Sequence, residues 1–210
     1  MADSQPSVIP IETPHGIARA HLHPAEQPRA ALVLGHGAGG GIDAPDLVAA
    51  TQVALARGVS VALVEQPYRV SGRRAPAPAR QLDANWIAML EQLRTGPLDR
   101  LPVIVGGRSM GARVACRTAS EVGAVGVICL AFPLQPRPRK SGALAPSRLP
   151  ELDAVTEPVL VVQGERDPFG VPPAAPGRTV VRVAGDHALK VDIPAVAAAV
   201  DAWMKALLRG

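Results

Sequence analysis

The segment Ile104-Val-Gly-Gly-Arg-Ser-Met-Gly-Ala-Arg113 contains the pattern G-x-S-x-G as Gly107-Arg108-Ser109-Met110-Gly111. An apolar run precedes it, and a helical pattern of small residues from about Met110 to Glu121 follows. In that setting the serine sits on a tight strand-to-helix turn. Side chains two residues to either side would collide with neighbouring elements, so glycine is required there. The turn pushes the Ser109 hydroxyl out at the top of a sheet. The Met110 amide, opening the helix, then points at the oxyanion that develops on an attacked carbonyl. A bare G-x-S-x-G can also be a glycine-rich turn with an incidental serine. The strand before it and the helix after it favour a nucleophile.

A serine hydroxyl needs a general base within hydrogen-bond reach. The histidines stand at 15, 21, 23, 36 and 187, and only His187 follows Ser109. On a sheet with this elbow the chain order is serine, acid, histidine. His187, in Ala184-Gly-Asp-His-Ala188, is therefore the expected base. The acid should follow the penultimate strand. Val159-Leu-Val-Val-Gln-Gly-Glu-Arg-Asp-Pro168 places Asp167 at a strand end and turn, with Glu165 and Asp186 as competitors. Its role would be to fix the His187 tautomer and stabilise the imidazolium.

Leu34-Gly-His-Gly-Ala-Gly-Gly-Gly41 follows another apolar run. Successive glycines let backbone N–H groups converge on one point, so Ala38 is the expected second oxyanion donor beside Met110. His36 would brace this loop. The loop lacks both G-x-G-x-x-G and the Gly-Lys-Ser/Thr of a P-loop, which disfavours phosphate binding. His21 and His23 share a strand face with Arg19, and that cation disfavours a metal site. No metal and no organic cofactor is expected.

The elements that must position these residues are short apolar runs alternating with helical patterns. Val8–Ile11 and Ile17–His23 read as strands around a His15-Gly16 turn. Ala30–Leu34, Val59–Val64, Val103–Gly106, Ala124–Ala131, Val159–Gln163 and Thr179–Ala184 read as further strands. Helices are expected from Asp43-Ala-Pro45 to Gly58, across Leu82–Leu93, after Met110, and from Ile193 onward. Continuous apolar strands alternating with helices indicate a mostly parallel sheet covered on both faces, with the first two strands antiparallel at one edge. The segments Gln66–Pro78 and Pro133–Pro150, rich in Pro and Arg, read as loops without enough apolar residues for a separate cap.

The chain has 210 residues, which fits one domain, 1–210. Hydrophobic residues at 48% and charged residues at 19% exclude a wholly disordered chain. Aromatics at 2% argue against a nucleic-acid binder that stacks bases. The net charge of +4 comes from scattered arginines and reads as solubility rather than a DNA footprint. Two cysteines, Cys116 and Cys129, fit a reduced compartment. Residues 1–10 lack a signal-peptide pattern, and no apolar stretch is long enough to span a bilayer. The expectation is a cytoplasmic protein, monomer or homodimer, with no membrane or nucleic-acid partner.

The chain resembles the α/β-hydrolases, with GHGAGG, GGRSMGARVA, VVQGERDPFG and GDHALK in the expected order. More narrowly it is similar to the small lidless dienelactone-hydrolase-like branch. That branch includes the hydrolase-like domain of the chromatin-associated non-specific-lethal complex subunit. Glu65-Gln-Pro-Tyr-Arg69, Gly72-Arg-Arg74 and Ala131-Phe-Pro133 also look like that group. The resemblance implies an eight-stranded, mostly parallel sheet and an esterase or acyl-hydrolase activity. Dienelactone hydrolases use a cysteine nucleophile where this chain has Ser109.

The expected reaction is hydrolysis of a small-molecule ester or thioester of a small acyl group through an acyl-enzyme on Ser109. Two alternatives are a non-catalytic binding or scaffold protein on the same fold and an anion binder using residues 35–41. Tyr68, Arg108 and Phe132 are expected nearest Ser109, with Phe132 as an apolar wall. Arg73, Arg74 or Arg137 could draw acidic substrates to the mouth.

Overall fold

The computed structural model describes residues 6–136 and 145–209. Arg137 and the middle of the Pro133–Pro150 segment lie outside the described residues, as do residues 1–5. The strands are β1 (Ser7–Thr13), β2 (Gly16–His23), β3 (Ala30–Gly35), β4 (Val59–Glu65), β5 (Val103–Arg108), β6 (Gly126–Leu130), β7 (Val159–Gly164) and β8 (Arg178–Val183). The helices are α1 (Pro45–Ala56), α2 (Pro67–Val70), α3 (Ala79–Arg94), α4 (Met110–Thr118), α5 (Leu149–Asp153) and α6 (Ile193–Leu207). The eight strands form one sheet in the order β1-β2-β4-β3-β5-β6-β7-β8. β1 pairs antiparallel with β2, and β2 antiparallel with β4; every later pair is parallel.

The central strands are apolar throughout because both of their faces are covered. Alternate residues feed two cores. Ala31, Val33, Val103, Val105, Val127 and Cys129 meet Trp86, Met89 and Leu90 of α3 and Val114 and Ala115 of α4. Leu32, Leu34, Ile104, Ile128 and Leu160 meet Leu47 and Ala50 of α1 and Val196, Val200 and Trp203 of α6 on the other face. Cys116 and Cys129 are free and buried, with Sγ atoms 3.4 Å apart, and that pairing together with burial raises the Cys129 thiol pKa.

Two short helices depart from the sequence expectation. α2 falls inside the Gln66–Pro78 segment read as a loop and α5 starts at the end of the Pro133–Pro150 one; at four and five residues they are too short to show a period. Among the described residues no large cap covers the carboxyl ends of the strands, and no helix is long and apolar enough to cross a membrane.

Candidate active site

Glycine at 107 and 111 is explained by one close approach. A Cβ on either residue would collide with the Gly35 carbonyl oxygen, so only glycine lets α4 and β5 pack this tightly against β3. Between them Ser109 adopts φ 52° and ψ −103°, a conformation that side chains rarely take. Such a residue carries about 1–3 kcal/mol of strain, which the surrounding structure must over-determine. The Ser109 N–H donates to the Leu130 carbonyl at 2.9 Å, fixing the turn to β6.

The structure brings Ser109, His187 and Asp167 together from three separate elements. Ser109 Oγ lies 3.0 Å from His187 Nε2. His187 Nδ1 lies 2.8 Å from Asp167 Oδ2. A carboxylate only accepts, so Nδ1 carries the proton and Nε2 presents a lone pair to the serine hydroxyl. The Asp167 side chain has no exposed surface, while the His187 side chain is 21% exposed. Neither competitor takes this place. The Asp186 carboxylate accepts the Ala188 N–H at 2.9 Å instead, and Glu165 is exposed.

Two partners of this arrangement were not anticipated from the sequence. Gln163, fully buried, donates from Nε2 to Asp167 Oδ2 at 2.7 Å, the same oxygen that His187 uses. Phe169 donates its N–H to Asp167 Oδ1 at 2.8 Å and sets its ring edge-on to His187, with centroids 4.6 Å apart. A lone glutamine in the apolar run Val159–Gly164 was a readable signal for the first. Only closeness to Asp167 pointed to the second.

His36 is 1% exposed. Its Nδ1 donates to the Gly37 carbonyl at 2.8 Å, and its Nε2 accepts the Gln66 N–H at 3.2 Å. Burial holds its pKa below the usual histidine value. His21, read as part of a solvated face, is half-buried, with Nε2 2.8 Å from Glu65 Oε2 on β4. Among the described residues no group of three or more metal-ligating side chains converges.

A cavity of about 290 Å³ opens beside Ser109, lined by Ala38, Met110, Ala77, Leu82, Pro133 and Phe169 among others. Ala38 and Met110 thus flank Ser109. Tyr68, Arg108 and Phe132 do not line this cavity, which corrects the expectation that they are its walls. Phe132 has no exposed surface, because Ala131 takes φ 52° and the chain turns the ring into the core. Phe169 supplies the aromatic wall instead. Tyr68 lies beneath the loop: its hydroxyl donates to the Ala38 carbonyl at 2.8 Å and approaches Met110 Sδ. Burial pushes its pKa up to about 12, so it remains a donor. Arg108 acts as a strut. Its Nε lies 3.1 Å from Asp46 Oδ2, off the hydrogen-bond axis, and its Nη2 donates to the His187 carbonyl at 2.9 Å. Asp46 is fully buried, and burial raises its pKa against the opposing pull of Arg108.

A family model described as an alpha/beta hydrolase domain matches residues 28–193. The chain belongs to the α/β-hydrolase family. Solved structures share its fold at low identity. Est1E from Butyrivibrio proteoclasticus is 16% identical, covering 97% of this chain and 99% of that one, with a TM-score of 0.76. A serine hydrolase without a lid from Xanthomonas campestris is 18% identical, covering 97% and 95%, with a TM-score of 0.74. A dienelactone hydrolase from Anabaena variabilis is 15% identical, covering 96% and 97%, also at 0.74. No curated protein matches the chain significantly in sequence. This α/β-hydrolase has an eight-stranded sheet and, among the described residues, no large cap.

Proposed function

We propose that this α/β-hydrolase is a serine esterase or thioesterase for small acyl groups. The observation that carries the reading is the relay Asp167 Oδ2–His187–Ser109 Oγ, with contacts of 2.8 and 3.0 Å. Ser109 Oγ attacks the carbonyl carbon while its proton passes to His187 Nε2. Asp167 holds the tautomer and stabilises the imidazolium that forms. The Ala38 and Met110 amides receive the oxyanion. His187 then protonates the departing alcohol or thiol, leaving an acyl group on Ser109. Water, deprotonated by His187, attacks that acyl-enzyme and restores the serine. No step requires a metal or organic cofactor. The small cavity supports short esters over long lipids.

A fluorophosphonate probe followed by peptide mapping tests this reading. Labelling at Ser109, abolished in Ser109→Ala, is the expected result. A folded wild-type protein that never labels would refute the enzyme reading and favour a scaffold.

A further inference from the structure

The cavity beside Ser109 is also lined by three arginines, Arg113, Arg117 and Arg148, and by no carboxylate among the described residues. Two of them follow from helix geometry. Ser109, Arg113 and Arg117 recur at four-residue spacing along one face at the start of α4 and beyond, about 6 Å per step. The guanidiniums are unequally neutralised. Arg113 forms a fork–fork pair with Glu151, at 2.9 and 2.5 Å. Arg117 forms another with Asp83, at 2.9 and 2.5 Å, and shares Glu151 at 3.3 Å. Arg148 donates Nη1 to the Pro133 carbonyl at 3.1 Å and, among the described residues, has no carboxylate partner.

Three guanidiniums therefore meet two carboxylates. Asp83 and Glu151 line a separate pocket that shares Arg117 with the Ser109 cavity, and neither lines the Ser109 cavity itself. Burial lowers the Arg148 pKa, as do the neighbouring Arg113 and Arg117, against the opposing pull of Glu151. An anion placed in the cavity would relieve that repulsion. One uncompensated positive charge matches a single carboxylate better than a phosphate monoester, which carries close to two charges.

We infer that the substrate carries a carboxylate several bonds from its ester or thioester carbonyl, and that Arg148 holds it. This rests on the serine-hydrolase reading of the same cavity. Arg148 is a specificity determinant, and Arg113 and Arg117 complete the positive wall. The guanidinium plane offers two parallel N–H donors to a carboxylate.

The test compares 4-nitrophenyl hydrogen adipate with 4-nitrophenyl hexanoate. These share acyl length and leaving group and differ in the terminal carboxylate. The wild type favours the adipate monoester in kcat/KM by about tenfold or more, the range for one charge-assisted hydrogen bond. Arg148→Met lowers that ratio about fivefold or more, mainly through KM. Arg148→Lys, which keeps the charge, retains most of it. Equal kcat/KM for the two esters in the wild type overturns the inference, as does a ratio that Arg148→Met leaves unmoved. A readout without turnover uses the wild type alone. Adipate slows fluorophosphonate labelling of Ser109 while adipamide does not; equal effects of the two overturn the inference. Loss of labelling without any ligand removes the hydrolase reading instead, so the two failures separate.

Discussion

His36 and His187 stand in loops at the carboxyl edge of the same sheet, after β3 and after β8, yet their surroundings assign them opposite tasks. Both carry a proton on Nδ1. For His36 the partners are two backbone groups, the Gly37 carbonyl and the Gln66 N–H, and the ring is 1% exposed. Nothing it touches can give or take a proton at neutral pH. For His187 the partners are a buried carboxylate and a serine hydroxyl, and the side chain is 21% exposed. The residue type is the same. What differs is whether the ring nitrogens face groups that can exchange a proton.

The comparison is broken most severely at its reactive end. Ser109→Ala folds with a melting temperature within a few degrees of wild type and lowers kcat by on the order of 10⁴–10⁶. Turnover near the wild-type level in a rapid ester assay would remove Ser109 from the reaction. Asp167→Asn leaves the shape intact but lets His187 turn the wrong tautomer to the serine, and kcat falls by about 10³–10⁴. Asp186→Asn, one position from His187, should be nearly silent; if it is the more damaging change, the acid is misassigned.

A smaller effect sharpens the contrast through the group behind the acid. Gln163→Leu removes the donor at 2.7 Å from Asp167 Oδ2. It should lower kcat about tenfold with KM unchanged. A change confined to melting temperature would make Gln163 structural only. The smallest kinetic effect belongs to His36→Asn, with kcat reduced less than tenfold. Its stability loss of about 1–3 kcal/mol comes from leaving the Gln66 N–H and Gly37 carbonyl buried without partners. The pH dependence follows from burial. The unfolded chain protonates His36 near 6.5, while the folded chain resists protonation to lower pH. This stability is full above 6.5 and is lost as the pH falls toward the folded value. Melting temperature between pH 7 and 5 should therefore fall less steeply in His36→Asn than in wild type; parallel slopes would contradict it. His23, whose pKa burial also lowers, adds a slope of the same sign in both proteins.

The sheet was readable because its central strands are buried on both faces and appear as unbroken apolar runs, Ala30–Leu34 and Val59–Val64 among them. The residues that converge at Ser109 were readable because the elbow and the serine, acid, histidine order constrain position along the chain. Side-chain direction was not readable. Phe132, Tyr68 and Arg108 each lie at or near a strand end, as pocket walls should. Sequence position alone cannot foretell the positive φ at Ala131 or the buried Asp46 that draws Arg108 inward. The Arg113 and Arg117 lining was present in the spacing after Ser109 and went unread. Arg148 left no such trace, because β6 and a long connecting segment separate it from α4.

The glycine contact that seats α4 against β3 lies at the centre of the sheet, whereas His187 follows β8 at its edge. Among the described residues β8 pairs only with β7, so it has a place only once β7 has joined the sheet. During refolding, or as the chain leaves the ribosome, the elbow can therefore take its shape while its serine has no base. Chemical competence would be the final event of maturation, arriving when β8 adds to the edge of the sheet and delivers His187. Pulse labelling with a fluorophosphonate should lag behind amide-exchange protection of β3 and β5. Simultaneous appearance of the two signals would show that the serine acquires its reactivity together with the central strands.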